Sequence, residues 1–136
     1  MTKSPGAPRH LAARLRTAKG RSSGSQRWLE RQINDPYVRE AKARGLRSRA
    51  AFKLLELDER FSLLKPGARV VDLGAAPGGW TQVALAKAGE RGRVVALDML
   101  PMDPVPGTTI LQGDFTEAEA EARVEAALGG QADLVL

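Results

Sequence analysis

The sequence has no cysteine, a single histidine and only 4% aromatic residues. Without thiols there is no disulfide framework, no cysteine-ligated zinc and no thiol nucleophile. A lone histidine, His10, in a polar stretch excludes histidine-rich metal sites and a histidine-centred triad. Nothing in the sequence reads as a metal site. No apolar run approaches the roughly 18 residues that a membrane-spanning helix needs. Acids are also missing from residues 1–25.

What remains is ordinary globular material. With 136 residues, 43% hydrophobic and 27% charged, the chain fits one domain with a packed core and is expected to be soluble and intracellular. Its charge is unevenly spread. Residues 1–60 hold 15 Lys and Arg against 6 Asp and Glu, whereas residues 61–136 hold 6 against 10. An N-terminal half that basic points to a polyanion, because neutralising phosphates releases counterions without sequence-specific contacts. A solvated tail is the alternative.

Residues 1–25 predict a flexible basic leader, a basic arm rather than a transit peptide. Residues 26–136 predict one folded unit, divided into basic helices over 26–64 and ligand-binding βαβ units over 65–136. Asp35-Pro36 is a helix start, with Asp35 as cap and Pro36 in the first turn, and Gly45 ends that helix. Ser48 is expected to cap a second helix running to Phe61, with Ala50, Leu54, Leu57 and Phe61 as its buried stripe. After Lys65-Pro66-Gly67 the period changes. Strands are expected at 69–73, 93–97, 108–112 and 132–136, with helices at 79–88 and 116–128. Strands alternating with helices predict an α/β fold with a mainly parallel sheet. The chain stops inside an expected strand, so a C-terminally incomplete fold is expected.

The central segment is Val70-Val71-Asp72-Leu73-Gly74-Ala75-Ala76-Pro77-Gly78-Gly79-Trp80. An apolar strand runs into a glycine loop and then a helix, which lets backbone approach a ligand. The pattern is neither the dinucleotide fingerprint nor a P-loop, which argues against NAD and nucleoside triphosphates. Asp72 and Gly74 open this loop and count as candidate ligand-binding residues. Asp98 ends the next strand, where an acid meets ribose hydroxyls in nucleotide-type folds. Asp114 follows the third strand and could instead cap the next helix. A glycine loop with acids at successive strand ends suits a ribose- and adenine-bearing ligand better than a pyrophosphate.

These residues resemble the FtsJ-type (RrmJ) ribosomal RNA 2′-O-methyltransferases. The likeness rests on VVDLGAAPGGW with Thr81-Gln82, on Gly45-Leu-Arg-Ser-Arg-Ala-Ala-Phe-Lys53-Leu upstream, and on Leu97-Asp98 to Asp103-Pro and Leu111-Gln-Gly-Asp114-Phe115 downstream. It implies a Rossmann-like class I methyltransferase fold, S-adenosyl-L-methionine as cofactor, and methylation of a uridine ribose 2′-hydroxyl in 23S rRNA on the large ribosomal subunit. A cytoplasmic monomer with no membrane association is implied as well.

By the same resemblance Gly78 and Trp80 contact the cofactor, Asp98 its ribose and Asp114 its adenine. Lys53 matches the first lysine of a Lys-Asp-Lys-Glu catalytic set, whose later members would fall beyond Leu136. Lys53 would then position the hydroxyl or stabilise developing alkoxide charge. A surface pair with Glu56 is the plainer role. Arg39, Lys42, Arg44, Arg47 and Arg49 are the candidate RNA-binding residues, orienting rather than specifying. Trp28 and Tyr37 could stack on bases but are expected to pack the N-terminal helices against the sheet. Two alternatives stay open: a cofactor- or RNA-binding chain without activity, and a related enzyme acting on another RNA or another substrate.

Overall fold

The structure, a computed structural model, describes residues 23–136; residues 1–22, which include His10 and most of the expected leader, lie outside the described residues. Three helices come first: α1 (Ser23–Asn34), α2 (Pro36–Ala43) and α3 (Ala50–Phe61). Residues 23–25, expected in the leader, belong to α1. At α2 the Asp35 carboxylate accepts the N–H groups of Tyr37 at 2.8 Å and Val38 at 3.3 Å, satisfying two orphan donors. Gly45, at φ 72°, ends it with paired bonds from Gly45 N–H to the Lys42 carbonyl and from Leu46 N–H to the Ala41 carbonyl.

Two details of α3 depart from the sequence pattern. Arg49, not Ser48, is the cap residue, and no side chain caps the helix. The buried stripe is also turned by one residue: Ala51 and Leu54 are fully buried with Leu55 beside them, while Ala50 is exposed and Phe61 is 60% exposed. The sequence offers apolar residues on both registers, and the one that meets the next helix wins.

The sheet contains β1 (Arg69–Leu73), β2 (Arg93–Asp98), β3 (Thr109–Gln112) and β4 (Leu134–Val135), all parallel in the order β3-β2-β1-β4. Helix α4 (Gly79–Ala88) joins β1 to β2, and α5 (Ala118–Leu128) joins β3 to β4. Alternate strand residues serve opposite faces. Val70 and Val94 pack with Ala51, Leu54, Val83 and Ala84 on the α3/α4 side. Val71, Val95 and Leu97 pack with Ala120, Val124 and Leu128 of α5 on the other. Burial on both faces explains why RVVDL and RVVALD are continuous apolar runs.

The boundaries of β1 and α4 match the sequence pattern, and β2 gains Asp98. Helix α5 begins two residues later than expected, after Glu117, whose side chain makes no cap bond, because Asp114 and Thr116 form their own turn. The order of β1 sets the location of the site. The chain leaves β1 toward β2 on one side and returns as β4 on the other, and such a switch point opens a crevice at the carboxyl ends of the strands. Among the described residues, no helix is long and apolar enough to cross a membrane.

Candidate active site

The loop after β1 is built by glycines and held by its neighbour strand. Gly74, at φ 67°, and Ala75 both donate their N–H groups to the Leu97 carbonyl, at 2.9 and 3.2 Å. The N–H of Ala76 turns instead to the Asp98 carboxylate at 2.9 Å, whose other oxygen accepts Leu100 N–H at 2.8 Å. Asp98 thus ties the β1–α4 loop to the loop after β2. Gly78, at φ 113°, ends the turn and starts α4.

Two cavities meet along this edge. The first, about 470 Å³, lies between Leu73, Gly74, Leu97, Asp98, Met99 and Leu100 on one side and Gly113, Asp114 and Phe115 on the other. The second, about 330 Å³, is lined by Ser48, Ala50, Asp72, the loop residues Gly74 to Pro77, Gly79, Trp80 and Leu136. Leu73 and Gly74 border both. Asp72, Gly74, Trp80, Asp98 and Asp114 therefore come together, whereas Gly78 is buried and lines neither cavity.

Each acid has a different setting. Asp72 is 2% exposed and accepts the Thr81 hydroxyl at 2.8 Å. Burial pushes its carboxyl above the ordinary 3.8, the Thr81 hydrogen bond pulls back, and the negative charge of Asp98 adds to the rise. One Asp114 oxygen accepts both the N–H and the hydroxyl of Thr116, at 2.9 and 2.7 Å. That hydroxyl first, and the N–H second, hold its carboxyl below the usual value. Its other oxygen carries no hydrogen bond among the described residues. Apolar walls with three carboxylates suit a neutral or cationic ligand bearing N–H and O–H groups, and repel a polyphosphate.

Trp80 donates its indole N–H to the Ala50 carbonyl at 2.6 Å, joining α4 to the start of α3. Lys53 lies one turn further along α3, exposed, and forms no ion pair with Glu56 among the described residues. It does not line either cavity, but Ala50 on the same helix face does.

The five basic candidates do not form one phosphate-facing row. Lys42 and Arg44 are exposed, Arg44 with its guanidinium 5.4 Å from the Phe52 ring centre. Arg39 donates to Asn34. Arg49 is exposed but pairs with Asp35 at 2.6 Å and lies over Tyr37. Arg47 departs furthest from the RNA-binding expectation: its guanidinium turns inward onto the carbonyls of Pro77, Asp103 and Pro104. Charge alone could not show this, because the acceptors are main-chain atoms. Nor do Trp28 and Tyr37 pack against the sheet; they are 54% and 50% exposed, and Tyr37 meets Phe52 of α3. Thr81, Gln82 and Ser48 were absent from the sequence-derived site. Gln82 accepts Arg47 N–H at 2.8 Å and donates to the Gly45 carbonyl at 3.0 Å.

Comparison with known proteins places this geometry in a family. The chain is 57% identical over 135 residues to a ribosomal RNA large subunit methyltransferase E of Granulibacter bethesdensis, covering 99% of this chain and 58% of that protein. It is 58% identical over 136 residues to the protein of that name in Paramagnetospirillum magneticum, covering 96% and 56%. The chain spans about half the length of the curated relatives it matches. A solved structure from Plasmodium falciparum, described as a ribosomal RNA methyltransferase, superimposes with a TM-score of 0.58 at 29% identity, covering 65% of this chain and 53% of that one. The profile of the FtsJ-like methyltransferases, enzymes that require a methyl donor, matches residues 46–136. The chain belongs to the FtsJ-like methyltransferase family.

Proposed function

We propose that this chain forms the donor-holding part of an RNA ribose 2′-O-methyltransferase, with S-adenosylmethionine as methyl donor and 23S rRNA of the large ribosomal subunit as substrate. The observation that carries the reading is the pair of cavities meeting at Gly74, with an acid at the end of each of β1 and β2 and another just after β3. The first cavity has apolar walls for an adenine and two acids for its N–H and ribose O–H groups. Asp98 can accept ribose hydroxyls while keeping both loop N–H groups, since a carboxylate has about four acceptor positions. The uncommitted oxygen of Asp114 is free for an exocyclic amine. The second cavity, between Asp72, Gly79 and Trp80, suits the amino-acid end.

When bound, S-adenosylmethionine supplies an electrophilic sulfonium methyl group. The chain's task is alignment, which can supply about 7–11 kcal/mol of a barrier. Lys53 is the cation for the acceptor ribose, favouring the hydroxyl oxygen as it gains negative charge. Lys42, Arg44, Arg39 and Arg49 on the helices of 26–64 attract phosphates. One copy lines both cavities, so the reading needs no second subunit, and a ribosomal substrate puts it in the cytoplasm.

Titration of the isotope-labelled chain with S-adenosylmethionine tests the donor site: amide shifts are expected at residues 74–76, 78–80, 98 and 114. Methyl transfer to unmethylated large subunits, by protein of the relatives' length, tests the substrate. A dispersed spectrum that ignores the cofactor would sink the reading. Binding without transfer would favour the second reading, a cofactor- and RNA-binding unit, which the shorter span of this chain against its relatives makes a specific alternative.

A further inference from the structure

Arg47 makes an unusual set of contacts for a half-buried cation. One guanidinium nitrogen donates to the Pro77 carbonyl at 3.2 Å and to the Asp103 carbonyl at 2.6 Å; another donates to Pro104. Pro77 belongs to the loop after β1, and Asp103 and Pro104 to the loop after β2. These loops border the two cavities. Arg47 is thus a second tie between them, through acceptors other than the Asp98 carboxylate.

Two further observations show that the surroundings are shaped for this contact. A Cβ on Gly78 would lie 3.1 Å from an Arg47 guanidinium nitrogen and 3.1 Å from the Met102 methyl, so the absence of a side chain there is what lets the fork lie against the loop. The Arg47 main chain is also fixed, because its N–H meets the Gln82 amide oxygen at 2.8 Å. The same Gln82 side chain donates to the Gly45 carbonyl, pinning the segment that leads into α3, the helix that bears Lys53.

We propose that Arg47 is a positioning residue, which sets the spacing of the two cavity loops and joins them to the helix carrying Lys53. This rests on the function proposed above. A guanidinium suits the role because its donors point along fixed, separate directions and can reach acceptors on two loops at once, whereas an ammonium offers the same charge from a single atom. Ligand in the cavities and the orientation of the basic helices are then linked through one side chain. Its donors are occupied by main-chain carbonyls, which leaves fewer of them for phosphates.

Arg47→Lys separates fork from charge. Binding of S-adenosylhomocysteine should weaken by at least about tenfold, the equivalent of about 1.4 kcal/mol. Binding of a large-subunit rRNA fragment without cofactor should be unchanged, because the charge remains. A purely structural role would lower thermal stability without this split. Amide shifts in the variant should appear in both loops, at 75, 76 and 78 and at 99, 100, 102 and 103. Unchanged cofactor affinity, or lost RNA affinity with cofactor affinity intact, would overturn the proposal. If wild-type protein binds no S-adenosylhomocysteine, the functional reading falls and this proposal with it; if it binds and Arg47→Lys binds equally, only this proposal falls. Should Arg47→Lys fail to fold, Gln82→Leu decides alone, by weaker cofactor binding in support or unchanged binding against.

Discussion

The Asp98 carboxylate accepts the main-chain N–H of Ala76 at 2.9 Å, so the end of the second strand holds open the loop that follows the first. Its other oxygen is committed to Leu100 N–H. Asp98→Asn leaves one amide oxygen for these two donors and turns an NH₂ against the other. The expected cost is about 1–3 kcal/mol of stability, read from the urea midpoint, with cofactor binding lost in calorimetry. Wild-type affinity in this variant would remove Asp98 from the site.

Asp72 predicts a pH dependence. Burial raises its carboxyl above 3.8, so the folded protein binds that proton more tightly than the unfolded chain does. Its contribution to stability is complete below the unfolded value and is lost as pH rises through the higher folded value. In Asp72→Asn the Thr81 hydroxyl keeps an oxygen partner and the ionisation disappears. Urea midpoints should therefore diverge in the variant's favour as pH rises from 3.8 toward neutrality. A constant difference across that range would mean Asp72 does not titrate there. Asp114 acts in the opposite window: its lowered value gives a contribution present above 3.8 and lost below it.

Lys53→Ala should leave the melting temperature and cofactor affinity unchanged, because the side chain is exposed and forms no ion pair with Glu56. Methyl transfer by protein of the relatives' length should nonetheless fall by about a hundredfold or more, as when a donor to developing charge is removed. Retained turnover would assign Lys53 to the surface.

Lys42 is exposed on α2 and Arg47 is turned inward, so the two should differ in salt dependence. Lys42→Ala should reduce the slope of log affinity against log salt by about 0.7–0.9, the loss of one phosphate contact. An unchanged slope would take Lys42 out of the RNA surface.

Local chemistry made much of the fold legible. Asp35-Pro36 and Gly45 mark the ends of α2 because capping involves only neighbours in sequence. RVVDL and the glycine loop identify β1 and the start of α4 for the same reason. Within the expected basic helices of 26–64 nothing local marks α1 as a separate element, since its first turn carries no acid. The stripe of α3 was misread because Ala50 and Ala51 are equally apolar, and only the contact with α4 chooses between them. Asp98 and Asp114 could be found as acids at strand ends. The inward turn of Arg47 could not, because the carbonyls it meets are distant in sequence and carry no side-chain signal.

The order of the sheet also bears on how the chain is made. One side of β1 is covered by β2, but the other waits for Leu134 and Val135. At about 5–20 residues per second, a nascent chain carries that open apolar strand for some seconds after the strand itself has emerged. An uncovered strand edge is a template for another chain, and parallel partners so distant in sequence come together slowly. The position that opens a crevice for a ligand in the finished fold is thus, during synthesis, a place where the protein is exposed to pairing with the wrong strand.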